Sequence, residues 1–344
     1  APGPSGFEIE AARVWRTEAE TFAHRVDVDV SGNSLAILNP GGSPRVMLAG
    51  HVDEIGVIVT YIDDEGYLYI DGIGGWDSQV LVGQRIRILG RLGQVVGVIG
   101  KQPIHLMKQD EREKVSKISD LWIDIGAADR DQALEMGVRV GDGGVIDAKM
   151  VHLGDKLIAS RAIDNRIGAY IVLEAVRLLA ENPDGLAAEV AAVATTQEEI
   201  AYQGGGARTS AYYFDPQVAI VVDVTFATDS PQVEKRKTGD HKLGSGPVLT
   251  RGSAAHPLVF DRLAEGADAA GIRYTIQAAP RGTSTDADAI HLSRNGVATG
   301  VVSVPNRYMH SPSEVVSLED LDSCARLIAQ FIRGLGPETD FIHR

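Results

Sequence analysis

Cysteine is nearly missing: the 344-residue chain has one, Cys324. A lone cysteine excludes an intrachain disulfide framework and cannot build a thiolate metal site. Basic residues are scarce beside acidic ones, 33 against 47, which leaves a net charge of -14. Phosphate binding needs clustered Lys and Arg, so this balance argues against a general nucleic-acid binder. The one basic cluster, Lys235-Arg-Lys237, reads as a solvated face. No run approaches the roughly 18 apolar residues of a membrane span, and no signal peptide stands at the observed start. Internal repeats, low-complexity tracts and disordered linkers are missing too. What is present is 44% hydrophobic residues, enough for a large core, on a chain long enough to favour two domains.

The texture of the chain changes near Asp63 and again near Leu157. Between them lie short β-prone stretches broken by glycine, such as Tyr67-Leu-Tyr-Ile, Gln84-Arg-Ile-Arg-Ile-Leu and Gln94-Val-Val-Gly-Val-Ile. These read as a small β-barrel lobe. Outside it strands alternate with amphipathic helices, the pattern of an α/β sheet. The expected organisation is therefore a discontinuous domain, 1–62 and 157–344, with the lobe 63–156 inserted into it.

Two adjacent acids, Glu198 and Glu199, close the apolar run that includes Val190 to Ala194. Where a strand ends and the chain turns, one such carboxylate can hold a metal while its neighbour handles protons. In isolation the pair would be a wet acidic turn, but four other segments supply matching partners. His51 and Asp53 follow the short apolar run Val46-Met-Leu-Ala-Gly, and a period of two puts both on one face. That suits a metal-binding His oriented by a neighbouring carboxylate. Asp164 opens a segment with Ile167, Ile171, Ala175, Leu178 and Leu179 on helical spacing; taken locally it could equally be an N-cap. Asp223 sits near the end of the apolar strand starting at Val218, where an acid needs a partner. His310 lies in the loop after a β-rich run from Val301.

Ligands in open α/β sheets bind outside the carboxyl ends of strands, so these five segments can converge on one crevice. Their mixed nitrogen and oxygen donors suit zinc, cobalt or manganese better than calcium. His24, His105, His152, His241, His291 and His343 lack comparable carboxylate company and read as surface or ordinary core residues. The run Gly204-Gly205-Gly206 lacks the Lys-Ser/Thr of a phosphate loop and reads as a flexible loop beside the Glu pair.

In order and spacing the chain resembles the tetrahedral (TET) aminopeptidases, which include glutamyl aminopeptidase and endoglucanase-M-like proteins. The matching segments run nearly end to end: Ala-Pro-Gly-Pro-Ser-Gly-Phe at 1–7, Gly50-His51-Val-Asp53-Glu54, Gly74-Gly75-Trp76-Asp77, Pro103-Ile-His-Leu and Asp124-Ile-Gly-Ala. Asp164-Asn-Arg, Gln197-Glu198-Glu199, Val222-Asp223-Val-Thr, Thr285-Asp286-Ala287 and Arg307-Tyr-Met-His310-Ser complete the series. The resemblance implies a mixed-sheet α/β/α metallopeptidase domain with an inserted β-barrel lobe, and a two-metal exopeptidase trimming short peptides in the cytoplasm. It implies that Asp164 bridges two divalent ions, zinc or cobalt with manganese a further option. His51 and Asp223 would complete one site, Glu199 and His310 the other. Glu198 would be the general base and Asp53 the residue orienting His51. His256, in a His-Pro pair, would lie near the site. Self-association is implied as well, as a homo-oligomer of twelve subunits built from dimers joined through the lobe.

The chain departs from the family pattern at Ile200–Ala207, two residues longer, and at Arg281–Asp286, which replaces a glycine run; both lie where the family places its substrate pocket. It also begins directly at the Ala-Pro-Gly motif, without an initiator Met or the usual preceding helix, so a processed or trimmed start is expected. Two rival readings stand beside the peptidase. Paired carboxylates also hydrolyse sugars without a metal, and the same fold could serve as a noncatalytic scaffold. The two His at strand ends count against the first, and the complete set of donor types against the second.

Overall fold

The computed structural model describes residues 1–110, 112–200 and 204–342. Eight strands form its main sheet, in the spatial order Arg25–Val28, Ser34–Leu38, Glu189–Thr195, Arg45–His51, Val218–Phe226, Ala298–Asn306, Val248–Gly252 and Thr275–Ala279. The four central strands, Glu189–Thr195 to Ala298–Asn306, run parallel, and antiparallel pairings flank them on both sides. The sheet is mixed, as expected.

Alternation of side chains along each strand builds two apolar faces from one sequence. Leu38, Val46, Leu48, Val190, Ala192 and Val222 point to one side, where the helices Ile9–Ala19, Ile163–Glu181, Pro257–Ala270 and Leu318–Arg333 cover them. Leu35, Met47, Ala49, Val193 and Val221 point to the other, against Gly205–Phe214 and Ala287–Ile290. The strands read as continuous apolar runs because both faces are buried. The result is three layers, α/β/α.

Between the strands Arg45–His51 and Glu189–Thr195 the chain leaves the sheet and closes a six-stranded barrel. Its order is Gly56–Ile62, Leu68–Ile73, Trp122–Asp124, Gly93–Gly100, Arg85–Gly90, Gly143–Ile146. The barrel has its own core, centred on Val57, Leu68, Ile86, Ile99 and Leu121, separate from the two beside the sheet. A three-stranded sheet, Val151–Leu153, Leu157–Ser160 and Glu314–Ser317, lies where the chain returns. Among the described residues no helix is long and apolar enough to cross a membrane.

The glycine run differs from its expected form. Gly204 precedes the helix Gly205–Phe214, and Gly205 and Gly206 are its first residues. At Gly206 an added Cβ would lie 2.0 Å from Asn33 Oδ1 and 2.6 Å from Thr196 Oγ1. The glycine is there for close packing of a helix start, and it is buried. Of the lengthened segment, Ala201, Tyr202 and Gln203 lie outside the described residues, as does His343.

Candidate active site

His51 is the last residue of its strand, and Thr195 faces it in register on one neighbour. On the other neighbour Val221 faces Ala49, so two residues further along Asp223 reaches the level of His51. Asp223 in turn faces Ser303. The alternation that buries Ala49, Val193, Val221 and Val301 on one face therefore carries His51, Thr195, Asp223 and Ser303 to that face at the carboxyl ends of parallel strands.

Loops bring in the remaining groups. Asp164 lies in the irregular first turn of Ile163–Glu181, where its own backbone and that of Asn165 are non-helical and the peptide between them is cis. It is not the N-cap that local reading allowed. Its two oxygens divide between the two histidines: Oδ1 is 3.2 Å from His51 Nε2 and Oδ2 is 3.3 Å from His310 Nε2. His310 Nε2 also lies 3.3 Å from Glu199 Oε2. His51 Nε2 is 3.6 Å from Glu198 Oε2 and 3.9 Å from Asp223 Oδ1. All seven residues singled out in the sequence meet in this one crevice.

Asp53 arrives there differently from the expected route. The strand stops at His51, so Asp53 sits in the irregular segment that follows rather than on the strand face. From there its Oδ1 lies 3.3 Å from His51 Nδ1. It also accepts from Ser5 Oγ at 2.6 Å and from the backbone N–H groups of Glu198 and Glu199, each at 3.2 Å. One carboxylate thus holds both the histidine ring and the backbone of the Glu pair. The other histidine is held by Gly75, whose carbonyl is 2.8 Å from His310 Nδ1.

Two acids escaped the sequence reading. Glu314 accepts from the backbone N–H of Asp164 at 3.0 Å and of His310 at 2.9 Å, tying together two segments that flank the crevice. Its signal was the one used for Asp223, an acid in a buried β run, here Glu314-Val-Val-Ser. Asp286, 5% exposed, accepts from the Thr195 hydroxyl; its motif stood among the family matches without a role. His256 heads the helix Pro257–Ala270 and lines a separate groove with Gln217 and Phe341, away from the acidic cluster.

Electrostatics mark the crevice as overloaded with negative charge. Burial raises Glu198 to about 8, against the pull of His51 and with the push of Asp286, Glu199 and Asp164. Burial likewise lifts Asp223 well above the usual carboxylate range and, with the charge of Asp164, raises Glu314 to about 8. Burial would raise Asp164 too, but hydrogen bonds with His310 and His51 hold it near 2. Hydrogen bonds to Asp164 and Glu199 drive His310 up to about 11. Burial opposes charge on His51, yet Glu198, Asp164 and Asp53 hold it well above its ordinary value.

Divalent cations fit this environment. Buried carboxylates need compensating charge, and two imidazoles cannot neutralise the acids gathered around them. Glu199 Oε1 is buried without a hydrogen-bond partner among the described residues. Single ligand atoms from His51, Asp164 and Glu199, and from His51, Glu198 and Asp223, lie within 4.8 Å of one another. Mixed imidazole and carboxylate donors suit zinc, cobalt or manganese.

An α/β/α sheet with a histidine-flanked acidic crevice at its carboxyl edge defines the class of an α/β metallohydrolase. Residues 32–327 match the M42 glutamyl aminopeptidase family, and the chain belongs to that family. It is 35% identical to the lysyl aminopeptidase of Pyrococcus furiosus over 340 residues, 98% of this chain and 95% of that one. The TET aminopeptidase of a marine-sediment Thaumarchaeota archaeon superposes with a TM-score of 0.92 at 36% identity, covering 97% of this chain and 93% of the other. The Pyrococcus horikoshii TET1 peptidase, described as assembling into a tetrahedron or a large octahedral shell, gives 0.84 at 32% identity, with 97% of each chain covered. The protein is accordingly a metal-dependent aminopeptidase with the TET fold. The glycoside-hydrolase and scaffold readings are not favoured.

Proposed function

We propose that this aminopeptidase removes residues one at a time from the free N-termini of short peptides, using two divalent ions bridged by Asp164. The observation that carries this reading is the division of Asp164 between His51 and His310, one oxygen to each. His51 and Asp223 would hold one ion, Glu199 and His310 the other, with zinc or cobalt the favoured metals and manganese an alternative. When bound, such a pair supplies Lewis acidity that activates water and stabilises the oxygens of a tetrahedral carbon.

The chain's own groups do the rest. Glu198, beside the proposed ligands at 3.6 Å from His51 Nε2, is placed to act as a general base that takes a proton from the attacking water and returns it to the departing amine, with the charge of the bound ions favouring its carboxylate form. Asp53 fixes the His51 ring through Nδ1 and, through two backbone N–H groups, keeps the Glu pair in register with it. We further propose a cytoplasmic homo-oligomer, a dodecamer built from dimers. The domains would be 1–62 with 157–344 for catalysis and 63–156 for assembly, with the barrel strand Gly56–Ile62 drawn into the assembling lobe.

The test is Glu198→Gln. It should retain both metals by elemental analysis while losing about 10²-fold or more in kcat, and N-acetylated peptides should be inert with the wild-type enzyme. Near-normal turnover would remove Glu198 as the base. Loss of one metal would instead make it a ligand, with Glu199 as the base.

A further inference from the structure

The crevice opens into a chamber of about 450 Å³ that begins at Asp164, Glu198, Glu199 and Asp223. Beyond those acids, no Lys, Arg, Asp or Glu lines it among the described residues. One wall is instead a patch of neutral hydrogen-bonding groups. Thr225 follows Asp223 by two residues on the same strand face. It donates its hydroxyl to Gln277 Oε1 at 2.8 Å, which fixes the amide and leaves its N–H₂ as a donor. Thr250 faces Gln277 in register on the adjoining strand, and Ser303 faces Asp223. Thr250 and Ser303, 6% and 4% exposed, line the same chamber. Phe226, Pro280, Val301 and Met309 are among the apolar residues of the lining.

Neutral hydroxyls lining a chamber beside an oriented amide describe a surface suited to a polar, uncharged ligand. We propose that this chamber receives the side chain of the substrate's first residue and selects an uncharged, hydrogen-bonding one, glutamine or asparagine. The inference rests on the aminopeptidase reading above. A glutamate or lysine side chain entering here would lose its hydration without meeting a free counter-charge, since the four acids and His310 at the chamber mouth are already committed to one another and to the proposed metal sites. A leucine would fit, but it would leave the wall's donors and acceptors unpaired, and a site built to hydrogen-bond discriminates strongly against analogues that cannot. The specificity residues are thus Gln277, Thr250 and Ser303, with Thr225 positioning the amide.

The experiment measures kcat/KM of the metal-loaded enzyme on the p-nitroanilides of Gln, Asn, Leu, Glu and Lys. The amide substrates should exceed Leu by about 10-fold, the worth of roughly one hydrogen bond, and Glu and Lys by about 100-fold or more. Gln277→Leu should shift preference toward Leu, and Gln277→Glu should raise Lys relative to Gln. Ser303→Ala, a smaller change, should narrow the Gln-to-Leu ratio by lowering the amide substrates more than Leu. Preference for Glu or Lys, or variants that lower every substrate equally, would overturn the selectivity while leaving an aminopeptidase. Failure to cleave any substrate with a free amine would overturn both readings together.

Discussion

Glu314 shows how much one side chain can organise. It satisfies the backbone N–H groups of Asp164 and His310, which come from segments almost 150 residues apart in the chain. Glu314→Ala would leave a buried and a half-buried donor unpaired, the buried one alone costing about 1–3 kcal/mol. Urea unfolding should show a loss of at least about 2 kcal/mol, and Glu314→Gln, which keeps an acceptor, should lose less. Asp320 offers a cleaner titration, away from the crevice. It accepts from the backbone N–H groups of Gly244 and Gly246, and burial, opposed by those bonds, raises it to about 6. A carboxyl whose folded pKa lies above its unfolded one binds its proton more tightly when folded. Its share of the stability is therefore present below about pH 4 and declines as pH rises through about 6. Relative to wild type, Asp320→Asn should gain stability over that window; a pH-independent difference between the two proteins would show that Asp320 titrates normally.

At the scale of elements, the crevice depends on how closely the helix Ile163–Glu181 lies on the strand Arg45–His51. Gly50 makes that approach possible: a Cβ there would stand 2.4 Å from the Gly168 carbonyl carbon and 2.6 Å from the Ala169 nitrogen. Backbone cannot yield as a side chain can. Gly50→Ala should therefore cost about 1–3 kcal/mol or more, and because His51 is next in the chain it should also reduce bound metal, measurable by elemental analysis after dialysis. Unchanged stability and metal content would mean the helix can lift without disturbing the site. The strands and long helices were legible because burial imposes a period of two or of 3.6 on the sequence. The closed barrel was legible from its short glycine-broken strands. The helix beginning at Gly205 was not: a glycine run carries no periodic signal, and its reason lies in Asn33 and Thr196, which pack against Gly206.

The whole molecule presents an outer barrel surface with apolar residues in the open. On the strand Gly93–Gly100, Val96 and Val98 face outward at 56% and 47% exposure while Ile99 is buried, and Leu92, Ile104 and Leu106 are also exposed nearby on the lobe. Apolar surface of this kind marks interaction sites, consistent with a lobe that joins subunits. Light scattering at micromolar concentration should find at least a dimer and, on the proposed assembly, a twelve-subunit particle. The double change Val96→Asp with Val98→Asp should shift it to smaller species with the barrel fold intact by circular dichroism. A stable, fully active monomer in the wild type would refute the lobe's assembling role.

Which residues could take part was already decided in the chain, because acids and histidines at the ends of apolar runs are costly unless something holds them. His51, Asp53, Asp164, Glu198, Glu199, Asp223 and His310 declared themselves by that contrast, within reach of local pattern and of family spacing. Their mutual arrangement was not. That His51 stands level with Asp223 follows from strand register; that Asp53 works from beyond the strand follows from where the strand stops; that Glu314 clamps two distant segments follows from a sheet formed between Leu157–Ser160 and Glu314–Ser317. The neutral wall of Thr225, Thr250, Gln277 and Ser303 is likewise assembled from four strands, none of which carries a polar signal strong enough to read alone. Period and burial act between neighbours along the chain, whereas register and loop closure act between residues a hundred or more apart, and only folding brings those into contact.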